Sequence, residues 1–170
     1  MTNDNFLNKF QKKLTADKLR QEIQSVNAFA TDKKARENFN NEMVQKTWYY
    51  QKKYGFETNP RRGHEFWNVE ADAFKHAFGS AKMAFHLGMW GSLAGGIDHE
   101  NRQQKNPKGE WNMDSWNNYQ GREIAKEIRR EYGDEFLQFS QQKQDDIIAA
   151  KVMYKMNNKQ LITNPNDSRK

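Results

Sequence analysis

Apolar residues recur along this chain at intervals of three and four, and no segment alternates with a period of two. Spacing of this kind lays an apolar stripe along a helix, whereas a half-buried strand needs strict alternation. The 170-residue chain is therefore predicted to be all-α: a single-domain helical bundle of about five to seven helices with long N-terminal helices. A chain of this length buries roughly two thirds of its unfolded surface on folding, so a core can hold it without staples. It has no cysteine, which excludes disulfides, thiolate metal sites and cysteine nucleophiles.

The three prolines all follow asparagine, at Asn59-Pro60, Asn106-Pro107 and Asn164-Pro165. Each pair marks a turn or loop, because the residue before proline is pushed out of the α region. Residues 5–29 have helical spacing through Phe6, Phe10, Leu19, Ile23 and Val26. Residues 32–54 form a second long helical pattern, with Thr31 and Asp32 available to cap its start. A loop over 55–65 leads to a helix over 66–87 that Gly88 can end. Residues 89–103, with Gly91, Gly95 and Gly96, read as a bend or a short interrupted helix. After a loop at 104–112, helices are predicted over 113–132, stopping at Gly133, and over 134–157. The expected organisation is an N-terminal helical region (1–60) for delivery or partner contact or as part of the bundle, a helical core carrying the site (61–160), and a disordered tail (161–170).

The stretch ADAFKHAFGSAKMAFHLG, residues 71–88, is the unusual one. Successive helical residues turn by about 100°. Phe74, Ala77, Phe78, Ala81, Ala84 and Phe85 then share a core face, while Lys75, Gly79, Lys82 and His86 mark a predicted solvent face. Asp72 and His76 fall on neither face and keep company with Met83 and Leu87. They are predicted to face protein or a cleft, where a carboxylate and an imidazole need partners. Side chains at i and i+4 meet, so the two can satisfy each other as a structural pair or serve a site.

A second polar line runs through MDSWNNYQGREIAKEI, with Asp114, Asn118 and Arg122 at i, i+4 and i+8 and with Asn117 and Gly121 beside them. Gly121 costs about 1 kcal/mol against alanine inside a helix, which makes sense where another backbone or a ligand comes close. The plainer reading is an exposed polar face with Asp114 as N-cap. Between the two helices lie Asp98, His99 and Glu100. At most two of these three adjacent residues can point at one centre, and the plain alternative is a polar helix start capped by Asp98. Together the three clusters offer carboxylate, imidazole and amide groups, the ligand set of Zn, Mn or Mg and the usual general acids and bases. The expected catalytic residues are His76, His99, Glu100 and Asp114, and the expected metal ligands are Asp72, His76, Glu100 and Asp114. Asn117, Asn118 and Arg122 are expected to bind substrate, the arginine suiting a phosphate. Neither H-E-x-x-H nor G-x-S-x-G occurs.

In order along the chain, DAFKHAFGSA (72–81), DHE (98–100) and MDSWNNYQGREIA (113–125) resemble an uncharacterised bacterial all-helical domain. Its members read approximately D-A-F-R-H-A, then A-H-E, then M-D-x-x-N-N-x-x-G-R. The resemblance covers about a third of the chain, with Lys75 where arginine is usual and Asp98 where alanine is usual. It implies a shared polar site at Asp72, His76, His99, Glu100, Asp114, Asn117, Asn118, Gly121 and Arg122. It also implies a setting in stand-alone proteins or at the C-terminal ends of polymorphic toxins and secretion-system effectors.

The formal charge of +6 favours anionic partners. No long basic block or basic–aromatic interleaving supports nucleic acid specifically. No apolar run approaches a transmembrane span, and the start MTNDNFLNKFQKKL lacks a secretory core, so a cytoplasmic origin and export by specialised machinery are expected. The expected function is that of a secreted antibacterial toxin or effector: a metal-assisted hydrolase of a phosphodiester or pyrophosphate. Its substrate would be an envelope lipid-linked intermediate, a phospholipid or nucleic acid, and its producer would need a neutralising immunity protein. The alternative is a non-catalytic binding module whose polar residues form a structural network, with Trp48, Tyr49 and Tyr50 docking a partner.

Overall fold

The computed structural model describes residues 17, 20, 21, 23–61, 63–102 and 108–167, with backbone alone at 89, 90 and 96–102. The first half of the helix expected over 5–29 lies outside these residues. The described chain forms α1 (23–31), α2 (Lys33–Tyr54), α3 (Glu70–Arg102), α4 (Lys108–Tyr132), a 3-10 turn (Gly133–Gln138) and α5 (Gln141–Asn157). No described residue lies in a strand, so the all-α expectation holds.

Local chemistry sets the helix ends. Asp32 caps α2, its carboxylate accepting from the Ala35 N–H at 2.9 Å, and Gly55 closes the helix in the left-handed region at φ 73°. α3 starts at Glu70 rather than 66, because Asn68 sits at φ 60° and no helix runs through that conformation. α4 starts at Lys108, five residues before the expected position, so Asp114 lies in its second turn and is not an N-cap. The last helix also differs from expectation. Residues 133–138 make a 3-10 turn, and Ser140 then caps α5 by accepting from the Lys143 N–H at 3.3 Å.

Gly88, at φ 77° and ψ 174°, breaks α3 into two arms. The Ser80 and Ser92 hydroxyls lie 2.9 Å apart, whereas twelve residues of straight helix would separate them by about 18 Å. The second arm therefore folds back along the first. Gly95 permits the approach, since a Cβ there would stand 2.5 Å from Met83 Sδ.

The first arm of α3 is the centre of the molecule. Phe74 and Phe78 stack at 5.4 Å between centroids and are buried in one cluster with Tyr50, Phe56, Ile124, Ile128 and Val152. This single core joins α2 to the rest and runs across residue 60. Tyr50, expected to be exposed beside Trp48 and Tyr49, is fully buried, and its hydroxyl donates to Asp146 Oδ1 at 3.1 Å. The solvent face expected on α3 is also corrected. Lys82 is 2% exposed and pairs with Glu42 and with Asp145 Oδ1 at 3.0 Å, while Lys46 pairs with the other Asp145 oxygen at 2.7 Å. A buried ammonium persists only with such partners.

The chain after α5 does not leave the core at 161. Leu161 and Ile162 are buried, and Asn117 clamps the backbone there. Its amide N–H donates to the Ile162 carbonyl at 2.8 Å, and its carbonyl oxygen accepts from the Ile162 N–H at 2.9 Å. Trp116 Nε1 donates to the Gln160 carbonyl at 2.8 Å. Disorder from 161 is thus corrected at Leu161 and Ile162: two backbone groups that would otherwise be buried unpaired are matched by one side-chain amide. Asn117→Ala leaves both without it and should cost roughly 1–3 kcal/mol, seen as a lower Tm and faster proteolytic cleavage after residue 160.

Candidate metal centre

Two helices supply the polar groups. Asp72 and His76 lie one turn apart on α3, and Glu110 and Asp114 one turn apart on α4. The helices meet closely because position 121 has no side chain. A Cβ there would stand 2.2 Å from the Ala77 carbonyl oxygen, so of the two reasons for this glycine the structure selects the approach of another backbone.

His76 Nε2 lies 3.5 Å from Asp72 Oδ1 and 3.3 Å from Asp114 Oδ1. Asp72, His76 and Asp114 are 5%, 8% and 6% exposed, and one ligand atom from each lies within 4.8 Å of the others. Both Nε2–Oδ1 separations exceed the usual N–H···O distance. They match the edge of a tetrahedron of N and O ligands around one ion, which for bonds near 2.1 Å is about 3.4 Å.

The three residues open onto a cleft of about 250 Å³. Its other walls are Glu110, Lys75 and the loop from Gly63 to Asn68. Asn68 fixes two acids at once: its N–H donates to Asp72 Oδ2 at 3.0 Å, and its side-chain amide donates to Glu110 Oε1 at 2.9 Å. Lys75 Nζ donates to Asp72 Oδ1 at 2.7 Å. Burial pushes the Asp72 carboxyl up, but the Lys75 ammonium, His76 and the hydrogen bonds from Lys75 and Asn68 together hold it below its ordinary value of 3.8. The stability it contributes is therefore complete above pH 3.8 and is lost as the pH falls through the lower folded value. In acid titrations of metal-free protein, Asp72→Asn should remove that part of the loss and leave the remainder.

Of the residues expected at the site, Asp72, His76 and Asp114 come together. Asn118 lies one turn beyond Asp114, where its backbone carbonyl accepts from the Ser80 hydroxyl at 2.8 Å, and it lines a neighbouring groove instead of the cleft. Arg122 is half-buried and is not part of the cleft wall; burial pushes its guanidinium pKa down against Glu123 and Tyr119. The Asn117 side chain is engaged by Ile162. His99 and Glu100 lie on helical backbone in the second arm of α3, and their side chains are outside the described residues. The loop from Gly63 to Asn68, Lys75 and Glu110 were absent from the expected site. Glu110 carried a usable signal, since it precedes Asp114 by four residues.

Among the described residues, no helix is long and apolar enough to cross a membrane. No curated protein and no solved structure gives a significant match to the chain. A family match covers residues 18–160, spanning α1 to α5 and the cleft residues on α3 and α4, and on that extent the chain belongs to the family described as a domain of unknown function (DUF6973).

Proposed function

We propose that Asp72, His76 and Asp114 bind a divalent cation, Zn, Mn or Mg, in a hydrolase acting on phosphate esters. The observation that carries the reading is the spacing of three buried ligand atoms within 4.8 Å at the base of a polar cleft. The ion would supply Lewis acidity and an activated water. The residues around it divide the remaining work. Asn68 orients the Asp72 and Glu110 carboxylates. Glu110, on the cleft wall, takes the proton of the attacking water. Lys75 presents an ammonium to the phosphate oxygens. The water oxygen forms the new P–O bond as the ester P–O bond breaks, and the leaving alkoxide takes a proton from solvent, to which Glu110 returns the one it accepted.

His99 and Glu100 belong to this proposal as further ligand or acid–base groups. The Ser80–Ser92 contact sets a fold-back that returns the second arm along α3 in the direction of His76. The resemblance to toxin and effector domains supplies the setting: export by specialised machinery and an immunity protein in the producer. In a sensitive host, expression should be toxic, and His76→Ala should abolish toxicity while the variant still folds, with a Tm lowered by the loss of a partner to two buried carboxylates. In vitro the same variant should lose bound metal and at least about a hundredfold in hydrolysis of an activated phosphodiester. An inactive wild type without metal would contradict the proposal.

One observation favours a second reading, a non-catalytic module with a structural network: Lys75 already pairs with Asp72. Lys75→Met separates the two. If the site holds a cation, removing the competing ammonium raises metal affinity. If the network is structural, the variant leaves a buried carboxylate short of its partner, lowering Tm by the equivalent of about 3 kcal/mol with no effect on metal.

A further inference from the structure

A second cavity of about 600 Å³ lies beside the cleft, between α1, α2 and the two arms of α3. Its walls are largely apolar, formed by Val26, Phe29, Phe39, Met43, Met83 and Leu87. Gly79, Gly91 and Gly95 also line it; Leu87, Val26 and Met83 lie against the last two, so the two arms pack closely along this wall. Lys75 and His76 line both this groove and the polar cleft, so the two spaces adjoin at these side chains. An apolar channel of this size that ends on a few convergent polar groups has the form of a small-molecule site.

Resting on the metal-centre reading for the polar end, we propose that the groove receives the aliphatic chain of an amphiphilic substrate whose phosphate head sits in the Asp72–His76–Asp114 cleft. The apolar walls favour a hydrocarbon, and the Lys75 ammonium at the junction favours an anionic head. A substrate divided this way joins both cavities with one molecule. A nucleic acid would leave the groove empty.

The test is calorimetric titration of octyl phosphate, butyl phosphate and inorganic phosphate, below micelle-forming concentrations, with and without zinc. Each methylene taken into an apolar groove tightens binding roughly fourfold, so octyl phosphate should bind on the order of a hundredfold more tightly than butyl phosphate. Ala30 and Ala94 line the groove and are exposed, so a tryptophan at either fills it without entering the core. Ala94→Trp and Ala30→Trp should each collapse the octyl-to-butyl ratio towards one and leave inorganic phosphate binding unchanged. A wild-type ratio within twofold overturns the proposal, and so does a large ratio that survives both tryptophans. Zinc dependence reports separately on the polar end: a large, plug-sensitive ratio without any zinc effect keeps the groove and removes the metal reading, whereas zinc-dependent binding that ignores chain length does the reverse.

Discussion

Asp114→Asn should lower divalent-metal affinity by at least about a hundredfold while the folded structure persists. Loss of an outer-shell partner alone typically costs 10–100-fold, and Asp114 is placed as a direct ligand. Asparagine preserves the volume of the side chain and can keep a polar contact with His76, whose Nε2 lies 3.3 Å from Asp114 Oδ1. The anionic oxygen that a cation requires is gone. Equilibrium dialysis against zinc, read beside thermal melts of the metal-free proteins, separates the two effects. Metal affinity should fall with Tm of the metal-free protein held within a few degrees. A large loss of Tm with no metal bound by either protein would assign Asp114 to the fold alone.

The second large effect belongs to Gly121. An added methyl would sit 2.2 Å from the Ala77 carbonyl oxygen and 2.8 Å from Ser80 Cβ. The first obstacle is backbone, so no side-chain rotation relieves it. Gly121→Ala must push α4 away from α3, and overpacking of this kind costs about 1–3 kcal/mol, more than offsetting the usual helical gain of about 1 kcal/mol from glycine to alanine. The displacement also widens the gap between Asp114 and His76, so metal affinity should fall together with Tm. Denaturant unfolding with and without zinc measures both. An alanine variant as stable as the parent would show that the helices have room to spare.

Much of this arrangement is legible in the residues, and the parts that are not share a cause. Asp72 and His76 stood out because two ionisable groups four apart among alanines and phenylalanines need a shared explanation. Asp114 was visible as the head of a polar line, although its alternative as an N-cap disappears once α4 is seen to start at Lys108. The same shift of the helix start explains why Glu110 was missed: read as loop, it had no turn in common with Asp114. Asn68 was out of reach because its role depends on a left-handed conformation that carries it towards Glu110, 42 residues away. Lys82 looked like a surface lysine because its partners, Glu42 and Asp145, are 40 and 63 residues distant. Asn117 looked like part of the polar line for the same reason, its true partner being Ile162, 45 residues on. Periodicity reports which face a side chain occupies; it does not report which distant segment arrives to meet that face.

The most direct test of the metal centre is anomalous diffraction from crystals soaked in zinc. A peak is expected about 2.0–2.2 Å from His76 Nε2 and from one oxygen each of Asp72 and Asp114, with Lys75 drawn away from Asp72. A cleft without anomalous signal under saturating zinc, with Lys75 still paired to Asp72, would contradict that expectation.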